Sequence, residues 1–174
     1  MRGIVKGGLN DGGSNIKSIQ RGTITLSGTS TNVTISPIDI SKSIVLISIE
    51  GANIDNAFRV LVSGRLTSST NLLLTVGNID YPPTVSWQVI EFNNVKSLQR
   101  GYTSINSDIQ TVTISSVNTS KSFLVTSKDA TLFDTANFGL WFSSAALTNS
   151  TTITFSQLFS NKPGNVAWEV IEFN

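Results

Sequence analysis

Trp87-Gln88-Val89-Ile90-Glu91-Phe92-Asn93 recurs as Trp168-Glu169-Val170-Ile171-Glu172-Phe173-Asn174, and the reading of the whole chain starts from this repetition. The stretch has period two. Trp87, Val89 and Glu91 fall on one side, and Gln88, Ile90 and Phe92 on the other, as in a β-strand. Upstream of it, Ser18-Ile19-Gln20-Arg21-Gly22 returns as Ser97-Leu98-Gln99-Arg100-Gly101. Val33-Thr34-Ile35-Ser36 returns as Val112-Thr113-Ile114-Ser115, and Ser41-Lys42-Ser43 as Ser120-Lys121-Ser122. The offset is 79 at the start and 81 at the end, so the chain is a tandem duplication with short insertions. Those are expected near 51–57 and 64–69, where Gly, Asn, Ser and Thr mark loops.

Between the repeated motifs, Thr and β-branched residues alternate in short runs broken by turn residues about every 8–12 positions. The pattern predicts about six strands per copy. In the first copy they lie near 19–27, 31–36, 43–50, 57–66, 71–76 and 84–92; in the second near 98–105, 110–115, 122–128, 136–144, 151–157 and 166–173. The expected fold is all-β: two tandem, duplicated, small antiparallel β-sandwich domains, jelly-roll-like and rigidly connected. Their boundaries are 18–93 and 97–174, joined by only Asn94, Val95 and Lys96, and preceded by a flexible Gly-rich arm over 1–17. Ile44 to Ile49 is apolar on both faces apart from Ser48 and reads as a central strand covered on two sides. A half of this size has a marginal core, so its outward apolar positions call for a further surface, from the sister half or another subunit.

Composition narrows the chemistry. The 174 residues include neither Cys nor His, which removes disulfides, thiolate or imidazole metal sites, and Ser-His or Cys-His catalytic pairs. Charged residues are 13% of the chain and Ser plus Thr about a quarter. Twelve Lys and Arg against eleven Asp and Glu leave a net charge of +1, which argues against nucleic acid or an anionic membrane as a partner held by bulk charge. Asp55, Asp129 and Asp134 are expected in loops without the spacing of a calcium-binding loop. Neither catalytic residues, nor metal ligands, nor a cofactor site are expected, and the chain reads as a non-enzyme.

Because charge is used sparingly, the repeated Arg and Glu call for explanation. An acid closing an apolar strand face needs a partner, and the expected pairs are Arg21–Glu91 and Arg100–Glu172, fixing sheet register. Trp87 and Trp168 are expected core anchors. Leu61 and its counterpart Trp141, together with Tyr81 and Tyr102, are the candidate interface residues. Trp141 also carries the alternative of a sugar-stacking platform in a lectin-like module.

Ile16-Lys17-Ser18-Ile19-Gln20-Arg21-Gly22-Thr23, Ser41-Lys42-Ser43 and Val85-Ser86-Trp87-Gln88-Val89-Ile90-Glu91-Phe92 resemble motifs of small structural proteins of tailed bacteriophages. The resemblance spans 18–174, and the second copy departs from it at Tyr102 and Glu169. It implies a virion component with no catalytic residue set, located in the virion and partnered by other capsid or tail proteins. The expected function is a capsid decoration or cement protein binding by surface complementarity through the arm and the apolar face around Trp141. A tail or host-adhesion fibre component is the alternative. A homo-oligomer is expected; as a trimer it would present six modules and match a quasi-sixfold site.

Overall fold

The computed structural model describes residues 15–50, 61–77, 79, 82–130, 143–157 and 164–174. These residues are all-β. Twelve strands are present: β1 (Ile16–Thr25), β2 (Ser30–Thr34), β3 (Ser43–Glu50), β4 (Val62–Ser68), β5 (Asn71–Val76), β6 (Thr84–Phe92), β7 (Val95–Ile105), β8 (Ile109–Thr113), β9 (Ser122–Ala130), β10 (Ser143–Asn149), β11 (Thr152–Gln157) and β12 (Gly164–Phe173). They form four three-stranded antiparallel sheets, β1-β6-β3 and β2-β5-β4 from the first half, β7-β12-β9 and β8-β11-β10 from the second. Adding six to each strand number converts the first pair of sheets into the second. The register follows: Val45 faces Val89 as Leu124 faces Val170, and Val33 faces Leu72 as Val112 faces Ile153. The equivalence holds at an offset of 79 through β3 and at 81 from β4 onward. The extra residues therefore fall between β3 and β4, outside the described residues, and not at 64–69.

Each sheet is amphipathic because its strands alternate. In the first half, Val45, Val85 and Val89 of one sheet share a buried cluster with Val62, Leu66, Leu72, Leu74 and Val76 of the other. In the second, Ile105, Val166, Trp168 and Val170 share one with Ile153 and Phe155. Connections between β2 and β3, and between β8 and β9, tighten into single 3-10 turns at Ile40–Lys42 and Thr119–Lys121. Asp39 and Asn118 cap them, each side chain accepting from an N–H two residues on.

Three sequence expectations change. β1 begins at Ile16 and β7 at Val95, so Ile16 and Lys17 belong to a strand and only Asn93 and Asn94 separate the last strand of one half from the first of the next. The strand expected at 136–144 falls mostly outside the described residues; β10 starts at Ser143 and turns Ala145 and Leu147 inward. β3 is an edge strand, with β6 central in its sheet. Ile44 on its outer face is covered by the second half and Val45 on its inner face by the core of its own half, while Leu46 and Ile49 are exposed.

Candidate functional site

Two staples and one seam organise the polar chemistry. In the staples, β1 pairs with β6 so that Ser18 lies opposite Glu91 and Arg21 opposite Gln88. Arg21 is thereby on the sheet face opposite to Glu91. The expected Arg21–Glu91 pair is excluded by strand parity, and Arg100–Glu172 fails in the same way, because Arg100 faces Glu169. The register shifts between Ile16 and Ser18, leaving Lys17 as a bulge residue. Its Nζ reaches Glu91 Oε1 at 2.8 Å. Ser18 Oγ donates to Oε2 at 3.1 Å and the Asp39 N–H to Oε1 at 3.1 Å. Glu172 is held identically, by Lys96 Nζ at 2.8 Å, Ser97 Oγ at 3.2 Å and the Asn118 N–H at 3.0 Å. Burial works to raise the Glu91 carboxyl, but the Lys17, Asp39 and Ser18 hydrogen bonds prevail and hold it below its ordinary value. Glu172 is lowered chiefly by Lys96 and then by the Asn118 N–H. Each staple ties the first strand, the last strand and the capped turn of its half.

Gly22 lies opposite Trp87 and Gly101 opposite Trp168. A Cβ on Gly22 would stand 2.7 Å from Trp87 Cζ2, and one on Gly101 would overlap the Trp168 ring. The glycine of each Gln-Arg-Gly motif is therefore the space into which the indole lies. Trp168 is buried in its cluster, with Nε1 donating to Thr103 Oγ1 at 3.0 Å, while Trp87 packs half-buried against the first cluster.

The seam joins the halves. Arg100, Tyr102, Ser127, Asp129 and Glu169 share the outward face of β7-β12-β9, away from Trp168 and Val170. This face lies against the open edges of β3 and β4, whose outward N–H and C=O groups need partners once buried. Glu169 Oε2 accepts the Val45 N–H at 2.8 Å. One Arg100 terminal nitrogen donates to the carbonyls of Ile40 and Ser43 at 2.7 and 2.8 Å. Its Nε lies 3.4 Å from Glu169 Oε1, an ion pair that lacks hydrogen-bond geometry. Ser127 Oγ accepts the Gly64 N–H at 3.0 Å. Asp129 Oδ2 accepts from Ser63 Oγ at 2.6 Å and from the Tyr102 hydroxyl at 2.5 Å, and Asn165 Nδ2 donates to Oδ1. The Arg65 guanidinium sits 3.7 Å above the Tyr102 ring. Ile44 and Phe92 from one half and Ile171 from the other form an apolar cluster beside these contacts. Phe92 and Phe173 meet edge to face at 5.3 Å.

Burial in the seam raises the Glu169 carboxyl to about 7, against the lowering pull of the Val45 N–H and Arg100. Burial and the bond to Asp129 raise the Tyr102 phenol to about 12. Arg100 is lowered by burial, partly offset by Glu169. A space of about 200 Å³ remains between Arg65, Arg100, Tyr102, Trp168 and Glu169. The seam is thus a clamp whose one soft point is a carboxyl that titrates near neutrality.

Of the candidate interface residues, Tyr102 lies in the seam and half-buried Leu61 lines a hollow between Ile47 and Val62 of the first half and Thr126 and Lys128 of the second. Tyr81 and Trp141 lie outside the described residues, as do residues 1–14 of the arm. Asp129, expected in a loop, is on β9. Sequence reasoning missed Lys17 and Lys96, although they repeat at the same offset of 79, because they fall just outside the assumed module boundaries. It also missed the role of Glu169 and Asp129. The available signal was the divergence of the copies, which carry Gln88 and Glu50 at those positions.

No known protein family, curated protein or solved structure matches the chain.

Proposed function

We propose that the chain is a non-enzymatic structural protein of a bacteriophage virion, a capsid decoration protein built from two duplicated β-sandwich domains locked into one unit. Each half brings two sheets onto one core, and their orders, β1-β6-β3 and β2-β5-β4, are compatible with a jelly roll shortened to six strands. Jelly rolls are frequent in capsid and lectin domains, and this part of the reading is analogy at the level of fold. The observation that carries the proposal is the seam. It uses scarce charge to join one half to the other rather than to form a cleft. A part that binds by surface complementarity needs such fixed faces, and exposed Ile49 and Ile109 supply apolar contact area.

Mass spectrometry of gradient-purified virions from the genome encoding the chain tests the reading. The expected result is the chain at a copy number in simple ratio to the major capsid protein, with density on the capsid surface in a particle reconstruction. Density confined to the tail would replace decoration by the fibre alternative, and absence from virions would overturn the proposal.

A further inference from the structure

The seam joins two different surfaces: the outward face of one sheet and the open edges of two strands. Each half owns both, but a single chain uses only one of each. Beyond Ile44, Ile90 and Phe92, the outward face of β1-β6-β3 is left over among the described residues, as are the β9 and β10 edges at Leu124, Ser144 and Ala145, and part of the buried pair's chemistry recurs on them. Arg21 stands where Arg100 stands, and faces Gln88 as Arg100 faces Glu169. Ser48 occupies the place of Ser127, and Glu50 that of Asp129. On the edges, Leu124 corresponds to Val45, Ser144 to Ser63 and Ala145 to Gly64.

Burial separates the used from the unused copy. Ser63 is 0% exposed, Asp129 2% and Glu169 7%, whereas Ser144, Glu50 and Gln88 are all exposed. Ile44, covered by the second half, is 2% exposed; its counterpart Phe123 is 40% exposed. Ile19 and Leu46, at 38% and 37%, correspond to Leu98 and Val125, which pack against the cluster around Ile44. Arg21 has neither a hydrogen bond nor an ion pair among the described residues.

We propose that a second copy of this chain occupies these surfaces by repeating the seam between molecules. The outward face of β1-β6-β3 in one copy covers the β9 and β10 edges of the next. Arg21 donates to the carbonyls of Thr119 and Ser122 there, the positions equivalent to Ile40 and Ser43. Gln88 accepts the outward Leu124 N–H, Ser48 the Ala145 N–H, and Glu50 the Ser144 hydroxyl. Phe123 enters the apolar ground between Ile19 and Leu46. Gln88 in place of Glu169 leaves this contact with no carboxylate to desolvate at that position, and Thr23 and Ala146 in place of Tyr102 and Arg65 remove the cation–π pair. The intermolecular contact is therefore weaker than the seam and exchangeable. It is also heterologous, face to edge, so copies add head to tail into a ring or a fibre according to the rotation between successive halves.

Sedimentation velocity on the full-length chain over a concentration series tests this. The expected result is assembly beyond the monomer that grows with concentration. Arg21→Glu destroys the face and Ser144→Arg the edge, and each alone is expected to abolish assembly while circular dichroism retains the β spectrum. Mixed one to one, the two variants are expected to form a heterodimer and nothing larger, because one live edge meets one live face. Leu46→Lys and Phe123→Lys give the same test if either variant misfolds. A monomeric wild type, variants that assemble as the wild type does, or a mixture that stays monomeric would each overturn the proposal. The experiment contains no virus particle, so its failure leaves the virion reading standing, and failure of that reading leaves this one untouched.

Discussion

At the scale of single residues, the chain places several titratable groups where pH can act on the fold, with Glu169 acting in the opposite direction to the others. The Glu169 carboxyl is raised to about 7 by burial, above its ordinary value near 4.5. Between those two values the folded chain holds more protons than the unfolded one, so stability falls as pH rises through this window. The full effect is on the order of 3 kcal/mol. Glu91, Glu172 and Asp39, all lowered, act oppositely, and their contribution is lost as pH falls through their folded values. Urea unfolding across pH is therefore expected to show greatest stability on the acid side of neutrality. Glu169→Gln, which keeps an acceptor for the Val45 N–H, is expected to flatten the decline between about 4.5 and 7; an unchanged slope would exclude Glu169 as its source. Gly101→Ala tests the ring-filled space. A methyl there overlaps the Trp168 indole and is expected to destabilise by about 1–3 kcal/mol. Gly22→Ala should be milder, because Trp87 is only half-buried and can yield.

At the scale of elements, the bulges decide which cation meets which acid. Pairing Arg with Glu from sequence assumed an uninterrupted ladder in which Arg21 approaches the last strand on the correct side. Register parity forbids this, and the extra residue before Ser18 delivers Lys17 instead. Alternation alone made β1 to β9, β11 and β12 legible, since each turns one face to a core; the strand expected at 136–144 lies mostly outside the described residues. A bulge shifts the alternation by one residue, but this one falls at the second residue of β1, where too few residues precede it for the shift to show in the pattern. The same blindness applied to β3: its apolar residues on both faces suggested a central strand, whereas it is an edge strand whose outer Ile44 is covered by the other half and whose outer Leu46 is exposed. A local pattern reports that a face is buried but not what buries it. Glu91→Ala removes the acceptor for the Asp39 N–H that ties the β2–β3 turn to β6. Hydrogen exchange at the Asp39 amide is expected to accelerate roughly tenfold or more. Unchanged protection would mean that the turn is held by its own cap alone.

At the scale of the whole molecule, duplication supplied two copies of every surface, and the seam consumed one face and one pair of edges. The duplication itself was fully legible, because its motifs recur at an offset that changes only from 79 to 81. The seam was not, since its groups belong to strands far apart in sequence: Val45 meets Glu169, and Ser63 meets Asp129. Where the copies diverge is where they ceased to be equivalent in space. Arg100→Ala removes the donor to Ile40 and Ser43 and leaves Glu169 without its cation. The halves are then expected to unfold in two separate calorimetric transitions where the wild type shows one; a single unshifted transition would mean that the seam contributes nothing to cooperativity.

The seam predicts that the two halves form one rigid body. The chain contains no native Cys, so spin labels can be placed at Thr34→Cys on β2 and Thr113→Cys on β8, exposed positions that are equivalent in the two halves. Double electron–electron resonance, performed in an Arg21→Glu background so that only distances within a chain are read, should give one narrow distance distribution. A broad distribution, from halves that sample many mutual orientations, would contradict it.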